Sequence, residues 1–196
     1  YAEQKPAYYK EKLAEATRSL MQQVSEDERR LLRAVTLTSQ RSTVIAVDDK
    51  GEALRPAITW LDRRQAQVED WPKGFLKLAL QSISMYDAIQ YMIRESEANW
   101  IRQNEPDIWR QTYKLLFLSG YLTYWLSGRF IDSTGNTVGY VPFDYKAQDW
   151  APASDMKFNM FPVERHKLVD LVQPGQQLGS ITPEAAKRTG LPEGLP

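Results

Sequence analysis

The sequence of 196 residues contains no cysteine. Disulfides, thiolate zinc sites and a cysteine nucleophile are therefore excluded. It contains one histidine, His166. A site built from several histidines is excluded with it, and a Ser-His-Asp triad would have a single candidate. An excess of charge is also lacking. Lys and Arg number 25, Asp and Glu 25, and the formal net charge is zero. No overall basic field exists to draw in nucleic acid or an anionic membrane. No apolar run approaches the roughly 20 residues that cross a bilayer, and no secretory signal pattern leads the chain. There is no GxxxxGK[ST] phosphate loop and no GxGxxG fingerprint, so any nucleotide is held elsewhere or by loops of another design. A cytoplasmic setting is the expectation.

What is present is ordinary for a folded domain: 42% hydrophobic and 26% charged residues. Such a chain buries a substantial core in one domain, or in two small ones. Pro6 fits a first helical turn, and Tyr9, Leu13, Ala16, Leu20, Met21 and Val24 recur at helical spacing. Ser25-Glu26-Asp27-Glu28 breaks that pattern. Leu31–Leu37 and Val44–Val47 read as buried strands, and Asp48-Asp49-Lys50-Gly51 as a hairpin turn. Ala57–Trp60 reads as a short third strand, with Asp62 as N-cap of a helix over 63–68. Tyr86–Arg102 is helical, with Ile89, Ile93, Ala98 and Ile101 on one face. Pro106 opens a further helix, through Trp109 to Tyr113. Leu115–Leu126 is apolar nearly all round and reads as a buried helix closed by Gly128. Phe130-Ile131-Asp132 leads as a strand into the polar loop Ser133–Thr137. Thr182 starts a last helix that Gly190 ends. Strands followed by many helices make the class α/β or α+β.

Four groups of residues could carry chemistry. Ser39-Gln40-Arg41-Ser42 lies between two strands, where loops of α/β sheets meet ligands. Arg supplies a rigid fork of donors, and Gln and Ser donate or accept, a set suited to a polyhydroxylated substrate. Trp60, at a strand end, could form a flat wall for the C–H face of a sugar. Spacing alone leaves a solvated turn and a core tryptophan as the other readings. Asp62-Arg63-Arg64 is either a phosphate site or a helix start with its own ion pair. Tyr121, Tyr124 and Trp125, at helical spacing, read as core. His166, beside Glu164 and Arg165, reads as a surface residue.

Together these segments resemble the FGGY carbohydrate kinases, the family that includes glycerol kinase and xylulokinase. The resemblance begins at Ala2-Glu3-Gln4-Lys5-Pro6. It is strongest over Thr38–Arg64, TSQRSTVIAVDDKGEALRPAITWLDRR. It continues through Trp100–Pro106, Ser119–Leu122, Leu126–Gly128, and Asp132-Ser133 with Asn136. It closes with Pro174–Ala186 and Gly190–Gly194. It implies a ribonuclease-H-like domain of the actin and hexokinase type, with a mixed β-sheet and helical insertions. It also implies that residues 1–196 are most of the sugar-binding N-terminal domain. The family's opening "DxGTxxxR" hairpin, which approaches ATP phosphates, is then expected before Tyr1. The "GxxD" segment with the general-base aspartate, and the ATP-binding domain, are expected after Pro196. No catalytic residue is therefore expected within the chain.

The activity implied is transfer of the γ-phosphoryl of Mg-ATP to a hydroxyl of a small sugar or polyol. The site residues implied are Gln40, Arg41 and Ser42, with Trp60 packing on the substrate's carbon chain and Asp62 and Arg63 supporting the loop. ATP and Mg2+ are the implied cofactors, bound mainly outside this chain. A sugar or polyol is the implied partner, nucleic acid and membrane are not, and a homodimer is left open. Three departures from the family stand out. Ser42 replaces the Glu of glycerol kinase, which argues against glycerol. Gln40-Arg41-Ser42 replaces the Gln-Met-His usual in xylulokinases. Glu97 stands where the family often has Lys. A non-catalytic sugar-binding relative is the alternative function. A glycoside hydrolase is disfavoured, because no carboxylate pair stands out.

Overall fold

The computed structural model describes residues 1–68, 71–137 and 139–196. The chain opens on a short strand, β1 (Glu3–Gln4), and enters α1 (Pro6–Gln23). Pro6 occupies the first turn, where a missing N–H leaves nothing unpaired, and Ala14 and Met21 face the core. Ser25–Glu28 does more than end the pattern. It forms a capping box, with Ser25 N donating to Glu28 Oε2 at 2.9 Å and Glu28 N to Ser25 Oγ at 3.3 Å. That box starts a second helix, α2 (Glu26–Arg30).

Leu31–Leu37 is not a strand. Its segment is irregular, and no strand among the described residues lies beside it. Leu32 and Val35 instead pack with Leu13, Leu126 and Leu195, and Val35 N donates to Pro196 O at 2.8 Å. Its apolar, β-branched composition fits any half-covered extended surface, and pairing needs a neighbour that composition cannot supply.

The strand β2 (Val44–Val47) is buried at all four positions. Asp48 turns the chain, accepting from Lys50 N at 2.9 Å and Glu52 N at 2.8 Å through Oδ1. The return leg reaches β3 (Ala57–Ile58), so the hairpin stands, but the strand stops two residues before Trp60. No helix follows Asp62; residues 63–68 are irregular.

The stretch 86–102 is two helices, α4 (Tyr86–Glu95) and α5 (Glu97–Asn104), after a preceding helix α3 (Gly74–Ser82). Ser96 divides them because its hydroxyl leaves the helix path, accepting from Asn99 N and donating to Tyr140 O at 3.0 Å. Ile89, Ile93, Ala98 and Ile101 are all buried despite the break. A short α6 (Pro106–Gln111) follows. The run 115–126 divides too. Its first residues belong to β4 (Lys114–Phe117) and only the rest to α7 (Leu118–Ser127), closed by Gly128 at φ +70°. An apolar run with no clear period fits a buried strand as well as a buried helix.

Strands β1, β3, β2 and β4 form one antiparallel sheet in that order, with Val44 opposite Ile58 on one side and Phe117 on the other. The strand β5 (Ile131–Ser133), a small hairpin of β6 (Phe143–Asp144) and β7 (Asp149–Trp150), and a one-turn α8 (Lys157–Met160) come next. The strand β8 (Asp170–Val172) pairs in parallel with β5. The last helix, α9 (Pro183–Thr189), is capped by Thr182 and ended by Gly190 in the left-handed region. Helix α7 packs on β2, β4 and β5, and against α1 and α9. Ile45, Ile58, Ile101, Leu116, Tyr121 and Phe143 fill the core between.

Candidate functional site

The antiparallel register decides which loops meet. Val44 begins β2, Ile58 ends β3 and Phe117 ends β4, and the three are paired side by side. The segments leaving at that end are 40–43, 59–64 and the start of α7. Leu118 N donates to Thr43 O at 3.0 Å and fastens the first of these. Gln40, Arg41, Ser42 and Trp60, far apart in sequence, therefore share one end of the sheet.

Gln40 is exposed, but its amide nitrogen is occupied. It donates to Tyr9 Oη at 2.9 Å and to Thr43 Oγ1 at 2.9 Å. Its carbonyl oxygen carries the remaining capacity, which is to accept. Arg41 is exposed and forms no ion pair among the described residues. Ser42 has φ +53°, in the left-handed region that side chains usually avoid. It lies against Gly139, where an added Cβ would sit 3.5 Å from Ser42 Oγ. Trp60 is 58% exposed and so is not a core tryptophan. Leu61 and Arg63 beside it are exposed as well.

Asp62 and Arg64 turn inward. Asp62 accepts from Arg64 Nε at 2.7 Å, Arg64 Nη2 at 2.8 Å and Arg64 N at 2.8 Å, and also from Ala2 N. Burial alone would raise the Asp62 carboxyl; these donors hold it well below the usual carboxylate range. The Arg64 guanidinium stacks between Tyr1 and Trp100, 4.2 and 4.4 Å from their ring centres. It also donates to Glu3 Oε1 at 2.8 Å, which Arg55 Nη2 reaches at 2.5 Å. Arg55 Nε donates to Glu105 Oε2 at 2.6 Å. The Asp62-Arg63-Arg64 trio is thus neither a helix start nor a phosphate cradle. Asp62 and Arg64, though not the exposed Arg63, form an ion pair within a largely covered chain that ties β1, the hairpin, the Trp60 turn and Glu105, at the junction of α5 and α6, together. Sequence spacing could not reveal it, because its five charges come from four separate segments.

A second polar cluster was also missed. Asp132, 2% exposed, accepts from Ser119 Oγ at 2.6 Å, Ser133 N at 2.7 Å and Asn136 Nδ2 at 2.8 Å. Burial raises its carboxyl, and these bonds oppose the rise. It lines a cavity of about 20 Å³ with Glu97, Gly120, Thr137 and Tyr140. Elsewhere, Tyr121 is core, while Tyr124 stacks on Phe130 with ring centres 4.0 Å apart. His166 is exposed on a short 3-10 turn, and its carbonyl accepts from Lys114 Nζ at 2.7 Å.

Among the described residues, no group of three His, Asp or Glu side chains could hold a metal ion. These residues therefore offer no ligand set for Mg2+. Among the same residues, no helix is long and apolar enough to cross a membrane. What the sheet end offers is an unpaired guanidinium, a carbonyl acceptor, a hydroxyl and an open indole face, on a braced scaffold. Groups of these kinds suit hydroxyls and a carbon skeleton.

The model of the FGGY family of carbohydrate kinases, N-terminal domain, matches residues 1–196. A xylulose kinase of Lactococcus lactis is 24% identical over 188 residues, covering 96% of this chain and 36% of the relative. An uncharacterised sugar kinase of Escherichia coli, YgcE, is 45% identical over 78 residues, covering 40% of this chain and 16% of that protein. The crystal structure of a xylulose kinase from Rhodospirillum rubrum superposes with a TM-score of 0.77 at 20% identity, over 100% of this chain and 39% of that one. The fold is therefore that of the sugar kinases. The chain spans little more than a third of the length of the relatives it matches along its whole length.

Proposed function

Because this chain belongs to the FGGY family of carbohydrate kinases, we propose that it is the sugar-binding part of a kinase that phosphorylates a hydroxyl of a small sugar or polyol. ATP would supply the phosphoryl group, with Mg2+, from parts of the protein other than the residues described here. Phosphoryl transfer depends mainly on positioning and charge stabilisation. This chain's share is positioning. Arg41 donates to substrate hydroxyls, the Gln40 carbonyl accepts from one, and Ser42 adds a donor or acceptor. Trp60 lies against the apolar face of the carbon skeleton. Asp62 does not touch the sugar; it holds Arg64, and through it the turn that presents Trp60. Arg63 borders that turn from the solvent side. A cytoplasmic enzyme fits this reading.

The observation that carries the reading is an exposed, unpaired Arg41 at the same sheet end as an exposed Trp60. An ornamental surface turn has no need to brace a bare indole with a covered ion-pair network. The test is steady-state kinetics of the full-length protein with ATP. Arg41→Ala should lower kcat/KM for the sugar by roughly ten-fold to a hundred-fold, the cost of one or two charge-assisted bonds, and leave the KM for ATP nearly unchanged. Trp60→Ala should act in the same direction, and His166→Ala should be silent. A folded Arg41→Ala enzyme with unaltered sugar kinetics would refute the site.

A further inference from the structure

Glu97 is a half-buried charged group that neither the ion-pair network nor the proposed contacts employ. It begins α5, directly after the cap Ser96. Among the described residues, no side chain donates to its carboxylate; only its own backbone N–H does. It lines the small cavity under the sheet end together with Val44, Asp132, Thr137 and Tyr140. About 20 Å³ holds one water and no sugar, so a sugar could reach Glu97 only from outside the cavity.

Two connections link that cavity to the residues of the proposed site. Ser96 Oγ donates to Tyr140 O at 3.0 Å, and the neighbouring Gly139 abuts Ser42. On the other side, Asp62 and Arg64, which hold the Trp60 turn, act on the Glu97 charge. Glu97 therefore lies between the two halves of the site. The charged and titratable groups facing it are Glu95 from α4, Asp62 and Arg64 from the turn, Asp132 from β5, and Tyr140. Arg64 is already neutralised by Asp62 and Glu3. Apart from Arg64, the charged groups around Glu97 are acidic.

We propose, building on the sugar site above, that Glu97 is a specificity-determining residue that accepts hydroxyl hydrogens from a neutral polyol or sugar and repels sugar acids. A carboxylate without protein donors satisfies its lone pairs on substrate hydroxyls. The same charge beside a substrate carboxylate is a repulsive element of the kind that specificity requires. Burial, reinforced by Glu95 and Asp62, raises the Glu97 carboxyl to about 7, so its accepting form grows as pH rises through neutrality.

The experiment uses the full-length protein with ATP, and D-xylulose and D-gluconate as the neutral and acidic probes, from pH 5.5 to 8.5. Wild type should prefer the neutral sugar, and its KM for that sugar should fall as pH rises through about 7. Glu97→Gln should reduce the neutral-to-acid ratio of kcat/KM by about ten-fold or more and flatten that pH response. If Glu97→Gln does not fold, the wild-type pH response and preference decide alone. Equal use of both probes, or a preference and pH response untouched in a folded Glu97→Gln enzyme, overturns the proposal. If Arg41→Ala and Trp60→Ala still impair sugar use, the site itself survives that result. If they are silent too, the site reading falls with it.

Discussion

Asp62 and Arg64 grip each other across a single intervening residue, through both carboxylate oxygens and two guanidinium nitrogens, with each side chain only 2% exposed. Removing one member of a buried ion pair typically costs about 3–5 kcal/mol; Arg64 keeps Glu3 as a partner, so the loss of Asp62 should fall toward the lower end of that range. Asp62→Ala should therefore lower the melting temperature strongly, whereas Arg63→Ala, one residue away and exposed, should leave it nearly unchanged. The pH dependence has a definite sign. A carboxyl held below its ordinary value stabilises the fold above the unfolded aspartate pKa of about 3.9. That contribution is lost as pH falls below about 4. Wild type should lose more stability than Asp62→Ala between pH 5 and pH 2.5 in thermal melts, and parallel losses would count against the assignment.

Gly51 and Tyr124 make a sharper steric case. A Cβ on Gly51 would lie 1.9 Å from the Tyr124 ring, and Gly51 has φ +73°. Both space and backbone demand glycine. Gly51→Ala should cost about 1–3 kcal/mol through overpacking and strain, read as a denaturant midpoint shift. Pairing it with Tyr124→Ala should recover only the steric part, because the left-handed backbone remains.

Glu97 gives a stability prediction independent of catalysis. Its carboxyl is raised by burial to about 7, against an unfolded value near 4.3. The folded state thus holds a proton that the unfolded chain has released. That contribution is full at acid pH, declines between about pH 4.3 and 7, and is gone above it. Glu97→Gln should be more stable than wild type at pH 8, by about 1–3 kcal/mol, and similar to it at pH 4. Chemical denaturation at the two pH values measures the difference. An advantage of the same size at both would show that Glu97 does not titrate with folding.

Much of the architecture is legible in the residues. The buried β2, the Asp48–Gly51 turn, the helix caps at Thr182, Gly128 and Gly190, and the FGGY pattern all depend on local chemistry. The errors share a cause. Residues 31–37 have strand composition without a partner, 115–117 are apolar on every face, and Ser96 breaks a helix by bonding to Tyr140, 44 residues away. Each outcome is set by a distant neighbour. The site divides in the same way. Gln40, Arg41, Ser42 and Trp60 could be named from motif and residue type. The Glu3–Arg55–Glu105 and Asp62–Arg64 network and the exposure of Glu97 to the cavity appear only once β1, β3 and α5 are placed together.

The segment 31–37 allows a last test, on dynamics. Its residues have the same apolar, β-branched character as Val44–Val47, so intrinsic preference cannot separate the two. Their hydrogen bonding does. Each residue of β2 lies in a ladder with β4, and β2 is completely covered. Beyond Leu32, the 31–37 stretch has one backbone N–H bonded within the fold, Val35 to Pro196 O. Amide exchange requires that a hydrogen bond open, and protection scales with the cost of opening it. In residues 1–196, the amides of Ala34, Thr36 and Leu37 should exchange orders of magnitude faster than those of Ile45 and Val47, which face β4 in the ladder, with Val35 between them. Residue-resolved hydrogen exchange by NMR reads this directly. Protection of Ala34–Leu37 equal to that of β2 would mean that this segment is paired after all, and that the strand reading of its sequence was right.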